Sequence, residues 1–248
     1  MHLDPLLVTI GAAFLAGAIN SVAGGGSFMS FPALILAGVP PISANATNNA
    51  AMWVGTFGGA RGYWNDVRSH RQLLVSVLAV SSAGALIGAL LLLATPVQTF
   101  ARVIPWLILF ATVVFAISPR LVRSDTAGDP QHQGWQLIVQ FFIAVYGGYF
   151  GAGMGILMLA VLTFSGLPSF NATNGMKNVL AVAINGIALI PFLFARIIDW
   201  HFAIPMAVAA LTGGYFGAKF FRRVPARVAR AIIILIGTTM TIVFFTRR

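Results

Sequence analysis

Apolar residues run through this chain in continuous stretches rather than in alternation with polar ones. The stretches cover residues 6–22, 28–39, 46–60, 73–94, 103–117, 135–150, 156–167, 175–194, 202–218 and 231–245. Only helices and closed barrels satisfy their backbone polar groups inside a bilayer, and barrels need alternation, so these runs predict helices. The second and seventh hold about 12 residues each, which as helix rises about 18 Å against about 30 Å of hydrocarbon. Each is expected to pair with the stretch before it across a glycine cluster, as a broken helix or a helical hairpin. The pattern predicts an all-α polytopic membrane protein of about eight transmembrane elements, two of them long and interrupted by glycine clusters. Counted by pieces, the elements number ten.

Two segments about half a chain apart repeat each other. Ala23-Gly24-Gly25-Gly26-Ser27 leads through Pro40 to Asn45-Ala46-Thr47-Asn48, and Gly151-Ala152-Gly153-Met154-Gly155 leads through Pro168 to Asn171-Ala172-Thr173-Asn174. Duplicated, interrupted hydrophobic segments at matching positions point to the binding site of a secondary transporter. The expected organisation is a first transmembrane repeat over residues 1–117, a cytoplasmic linker over 118–134, and a second transmembrane repeat over 135–248. The linker holds Pro119, Asp125, Gly128, Asp129 and Pro130.

Composition agrees with a membrane setting. The chain is 58% hydrophobic and 8% charged, with a mean hydropathy of +0.90, where a soluble domain carries about 25% charged residues. The formal net charge of +10 does not signal nucleic-acid binding, because most arginines sit in short connections, where they set orientation. Cysteine is absent, which excludes disulfides, thiolate metal sites and a cysteine nucleophile. Met1-His2-Leu3-Asp4-Pro5 lacks the positive region of a cleaved signal peptide, so the first stretch is expected to remain as a span.

Arg61, Arg68 and Arg71 mark one connection, Arg120 and Arg123 the linker, and Lys219, Arg222, Arg223, Arg227 and Arg230 a third. The positive-inside rule makes all three cytoplasmic, which ten alternating pieces allow. Asn45 then lies on the outer side and Asn171 on the inner side, so the halves form an inverted repeat with both termini outside. Arg247 and Arg248 run against that assignment. A parallel repeat results if each broken segment counts as one span.

The chemistry lies just past the second glycine cluster. Asn171, Asn174, Asn178 and Asn185 fall within about 60° of arc at helical spacing, with Lys177 about 60° from Asn174. Carboxamides and an ammonium inside a membrane are costly unless they meet partners, water or a ligand. The first copy has Asn45, Asn48, Met52 and Gly59 at the matching places, and Ala51 where Lys177 stands. It keeps the asparagines at the helix start and loses the deeper polar positions, which assigns charge recognition to the second half. Asn45 and Asn171 also suit helix N-caps, the glycines suit close helix packing, and Lys177 suits a snorkelling side chain as well as a ligand contact. The two Asn-Ala-Thr sequences match the glycosylation pattern, but one copy in each leaflet makes that coincidence.

All acids of the chain are Asp4, Asp66, Asp125, Asp129 and Asp199, and its histidines are His2, His70, His132 and His201. All lie at stretch ends or in connections. A proton relay, a metal site, acid/base catalysis or cation carriage would need such groups within the apolar cores. Neither an enzyme nor a metal or other cofactor is therefore expected.

The segment Asn20-Ser21-Val22-Ala23-Gly24-Gly25-Gly26-Ser27, followed by Phe31-Pro32-Ala33-Leu34 and the Asn-Ala-Thr-Asn turn, resembles the TauE/SafE family of membrane permeases. Gly151-Ala152-Gly153 and then Asn171-Ala172-Thr173-Asn174-Gly175-Met176-Lys177-Asn178 are similar to that family's second motif, lysine included. The resemblance implies a multi-pass exporter of sulfite, sulfonates or related organosulfur anions in the bacterial inner membrane. The residues themselves argue for a small anion as cargo, with membrane lipid around the protein and no nucleic-acid partner. The oligomeric state has no signature in the sequence. The expected binding set is Gly24, Gly25, Gly26 and Ser27 of the first cluster, Gly151 and Gly153 of the second, and Asn48, Asn49, Asn174, Lys177 and Asn178. In it, broken segments present backbone N–H groups, Lys177 supplies charge, and Asn48, Asn174 and Asn178 orient the oxyanion. An alternating-access carrier is the first reading and an anion channel through the same site the alternative.

Overall fold

A computed structural model of the chain describes residues 4–22, 25–121, 133–165, 167, 169–220 and 226–246. Gly24 and most of the linker, with Arg123, lie outside them, as do Arg222 and Arg223. The described residues form helices and contain no strand. The helices are α1 (Pro5–Val22), α2 (Ser27–Leu36), α3 (Pro41–Gly62), α4 (Trp64–Arg68), α5 (Arg71–Ala94), α6 (Val97–Leu121), α7 (Gln133–Tyr149), α8 (Met154–Leu162), α9 (Phe170–Phe194), α10 (Trp200–Phe220) and α11 (Ala226–Thr246).

Ten of these are the ten apolar stretches, and α4 is an addition that its polar sequence concealed. Among the described residues, Arg71–Ala94, Val97–Ile117 and Asn171–Phe194 are long and apolar enough to cross a membrane. The short stretches form separate short helices, α2 with 10 residues and α8 with 9, and neither reaches across a bilayer at 1.5 Å per residue. Helices α6 and α7 extend into the expected linker, to Leu121 and from Gln133.

Packing follows the repeat. Helix α1 packs on α10 as α7 packs on α5, α3 on α10 as α9 on α5, and α2 on α11 as α8 on α6. Helix α3 also packs on α9 and α6 on α11, each being the counterpart of the other. Both counterpart pairs run antiparallel. Along α3 and α9, Asn49 meets Asn185 while Tyr63, just beyond α3, lies against Gly175. Along α6 and α11, Trp106 stacks edge-on with Phe245 while Thr112 lies against Gly237. Helix α4 has no counterpart in the second half.

Close approach relies on small residues, as lipid-solvated helices require. A Cβ on Gly84 or Gly88 of α5 would collide with the α7 backbone at Phe141 or Val145, and one on Gly17 of α1 with Ala210 of α10. Large apolar side chains such as Phe142, Phe194 and Leu235 face outward, as they do where the solvent is hydrocarbon. Buried Phe31, Phe100, Phe115 and Phe192 fill one core cluster, and Met158, Met176 and Leu180 a second around α9.

Candidate functional site

The glycine clusters break the helical path by backbone conformation. Gly25 has φ +86°, Gly151 +79° and Gly153 +77°, values that glycine adopts without strain and an L side chain resists. The amide of Phe28 donates to the carbonyl of Gly25 and that of Ile156 to Gly153, each at 3.1 Å, so the two breaks are built alike. They also converge. A Cβ on Gly25 would stand 3.1 Å from the Phe115 ring, and one on Gly153 would stand 3.2 Å from the Ala111 Cβ. Ala111 and Phe115 are one turn apart on α6, just past its middle. Gly26 sits against the α1 backbone at Ala16, where any Cβ would clash. Ser27, the first residue of α2, is half-buried.

Lys177 lies two turns into α9 and is 8% exposed, so its side chain is buried rather than extended to a surface. Among the described residues its ammonium has neither a hydrogen bond nor an ion pair. Its stem passes Gly155, the second residue of α8: the Lys177 Cδ is 3.6 Å from where a Cβ on Gly155 would be. The loop before α8 supplies carbonyls to two amides, Met154 to Gly151 at 3.2 Å and Ile156 to Gly153 at 3.1 Å, and leaves the amide of Gly155 without one. The stem of an ammonium unpaired among the described residues therefore runs beside the positive end of a helix.

The first half is built differently. Ala51, 0% exposed, stands where Lys177 does. The amide of Gly26 donates to Asn20 Oδ1 at 2.8 Å. The Ser30 hydroxyl donates to Asn48 Oδ1 at 2.5 Å, which ties α2 to α3. In the second half Met158 stands at the place of Ser30, and Asn174 and Asn178, both half-buried, make no hydrogen bond among the described residues. Between the halves, Asn49 Nδ2 donates to Asn185 Oδ1 at 3.3 Å and leaves Asn49 Oδ1 buried without a partner. Trp53 Nε1 donates to the Val182 carbonyl at 3.0 Å across the same α3–α9 contact.

Two expectations change. Asn171 is not the cap of α9: Ser169 is, its hydroxyl accepting from the Ala172 amide at 3.1 Å. Asn45 lies a turn inside α3, where its Nδ2 donates to the Tyr149 carbonyl at 3.1 Å and pins α3 to the end of α7. Two participants lie outside the expected binding set: Ser30, because a lone serine in an apolar run is ordinary in a membrane helix, and Gly155, although it belongs to the second glycine cluster. Tyr146 is a third: its hydroxyl donates to the Ala152 carbonyl at 2.6 Å and holds the second glycine turn.

Comparison with known proteins bears directly on this arrangement. The family model described as Sulfite exporter TauE/SafE matches residues 9–244. The chain belongs to the TauE/SafE family. Three relatives show how far the similarity extends. A Sinorhizobium protein named probable membrane transporter protein ORF9 is 27% identical over 232 residues, covering 93% of this chain and 88% of its own length. A Haemophilus influenzae probable membrane transporter protein is 27% identical over 240 residues, covering 96% and 94%. The Escherichia coli K12 probable membrane transporter protein YfcA is 27% identical over 247 residues, covering 96% and 89%. The match to this family of membrane transport proteins thus spans nearly the whole chain.

Proposed function

We propose that this TauE/SafE protein exports a small oxyanion of the sulfite and sulfonate class across the bacterial inner membrane by alternating access. The observation that carries the reading is Lys177: a buried ammonium with no acid or carbonyl partner among the described residues, its stem passing Gly155 in the first turn of α8. A cation beside a helix N-terminus in a low-dielectric interior is repelled by it, and an anion bound between them would turn that repulsion into charge-assisted hydrogen bonds. Asn174 and Asn178, whose carboxamides have no hydrogen bond among the described residues, orient its remaining oxygens.

The repeat supplies the means of alternation. Exchangeable packing and antiparallel counterpart pairs support an inverted repeat of about eight transmembrane elements, in which the broken segments α1–α2 and α7–α8 meet on α6. Such repeats rock about a site near the midplane. Burial of Lys177 favours a carrier over an open channel, because a conducting pore would keep its charged group wet. The family's descriptive name, Sulfite exporter, supports the proposed cargo class and direction.

Counterflow tests the carrier. Proteoliposomes preloaded with unlabelled sulfite should accumulate external radiolabelled sulfite transiently above equilibrium. Uptake that never exceeds equilibrium and does not saturate would be channel behaviour and would overturn the alternating-access reading.

A further inference from the structure

A second polar feature lies away from Lys177. The end of α3, helix α4, and the adjoining faces of α5 and α9 enclose an open cavity of about 730 Å³, in the size range of small-molecule and cofactor sites. Its polar wall is Arg61, Trp64 and Asn65, all exposed and none with a hydrogen bond or ion pair among the described residues. Its apolar wall is Leu78 of α5 with Val179, Val182 and Ala183, which follow one another at i, i+3 and i+4 along one face of α9.

The two walls are arranged in depth. Because α3 and α9 run antiparallel, Tyr63 lies against Gly175, and the residues from 179 to 183 lie about 6–12 Å further along α9 at 1.5 Å per residue. The cationic, hydrogen-bond-donating end therefore sits at the connection that carries Arg61, Arg68 and Arg71, and the apolar end runs inward from it. Trp64 is 48% exposed at that boundary, where an indole in a membrane protein prefers to be. The second half has no equivalent of α4, and so nothing to build this rim. The cavity is thus particular to one side of the protein rather than a product of the repeat.

We propose that this cavity binds an anionic phospholipid from the leaflet on the arginine-rich side. Arg61, the Trp64 indole N–H and the Asn65 carboxamide take the phosphate, and an acyl chain lies over Leu78, Val179, Val182 and Ala183. The charge selects the head: Arg61 has no acidic partner among the described residues, and Asp66, the acid on α4, does not line the cavity. The open mouth and apolar wall select a lipid over a free ion, since an inorganic anion would leave the α9 face uncovered. Because α9 also carries Lys177, a bound lipid braces the helix that holds the cargo site, although the proposal does not depend on what that site carries.

Quenching by brominated lipids tests it on the whole protein in nanodiscs of phosphatidylcholine. Phosphatidylglycerol with brominated chains, titrated in at low mole fraction, should quench part of the tryptophan fluorescence saturably, and brominated phosphatidylcholine should not. The saturable part should fall in Trp64→Phe and keep only the share of Trp53, whose indole lies against Val182. Its half-saturation should rise about fivefold in Arg61→Gln, the worth of one basic residue at an anionic surface. Ala183→Phe, which fills the apolar end, should remove it, while Lys177→Met should leave it unchanged. Equal quenching by both lipids, or an unshifted midpoint in Arg61→Gln, would overturn the assignment. Full displacement by millimolar glycerol phosphate would assign the cavity to a free phosphate ester instead.

Discussion

Lys177→Met is the perturbation that separates a ligand-binding lysine from a structural one. Methionine nearly preserves length and volume, so the exchange removes charge without opening a cavity. An ammonium at membrane depth costs on the order of 2.5–3.5 kcal/mol on insertion scales. Lys177 recovers none of that from a partner among the described residues, and it lies beside an uncapped helix N-terminus that raises the cost further. The ligand-free Met variant should therefore be at least as stable as the native protein. Sulfite binding should meanwhile weaken by about 1.5–3 kcal/mol, the worth of a charge-assisted hydrogen bond, or roughly 10- to 150-fold. Thermal unfolding in detergent with and without sulfite reads both effects. Sulfite at a hundred times its dissociation constant adds about 2.7 kcal/mol to the native protein, and most of that increment should disappear in the variant. Lys177→Arg should restore only part of it, because a planar fork does not replace a compact point charge. A Met variant that is less stable without anion, yet gains the full increment with it, would refute the reasoning.

Other expected outcomes follow from the same geometry. Gly153→Val forces an L side chain to φ +77° and brings its Cβ to 3.2 Å from Ala111; it should cost about 1–3 kcal/mol of stability and abolish flux in proteoliposomes while membrane insertion, read by fractionation, persists. Ser30→Ala leaves Asn48 Oδ1 buried without its donor and should lower thermal stability by about 1–3 kcal/mol, with sulfite affinity unchanged in a binding titration. A C-terminal phosphatase and fluorescent-protein reporter pair should show phosphatase activity without fluorescence, as an inverted ten-piece arrangement requires; bright fluorescence without phosphatase activity would reject it.

The helices were legible because hydrocarbon demands long apolar runs, and each run in the sequence became a helix. Their starts were less so. Helix α3 opens at Pro41 and α9 at Phe170, earlier than the apolar stretches, because helical turns tolerate Ser43, Asn45 and Asn171 once their side chains find partners or water. Helix α4 escaped notice because five residues containing Asn65, Asp66 and Arg68 look like a loop. Of the site, Gly25, Gly153 and Lys177 announced themselves as residues out of place in apolar surroundings. Ser30 and Gly155 did not, since the pairing of Ser30 with Asn48 spans 18 positions, and the fit of Gly155 to Lys177 depends on how α8 meets α9. Asn48 read like a ligand contact, and the structure adds that its carboxamide oxygen accepts from Ser30, while its counterpart Asn174 has no hydrogen bond among the described residues. The repeat predicted which positions correspond, and only tertiary structure could say which of each pair is already satisfied.

The central claim is that an oxyanion sits between Lys177 and the first turn of α8. An anomalous difference map from crystals of the whole protein equilibrated with selenite, a heavier analogue of sulfite, locates it directly. The expected result is a selenium peak within hydrogen-bonding distance of Lys177 Nζ and the Gly155 amide, absent in Lys177→Met crystals. A saturated crystal with no peak there, or a peak that persists in the Met variant, would contradict it.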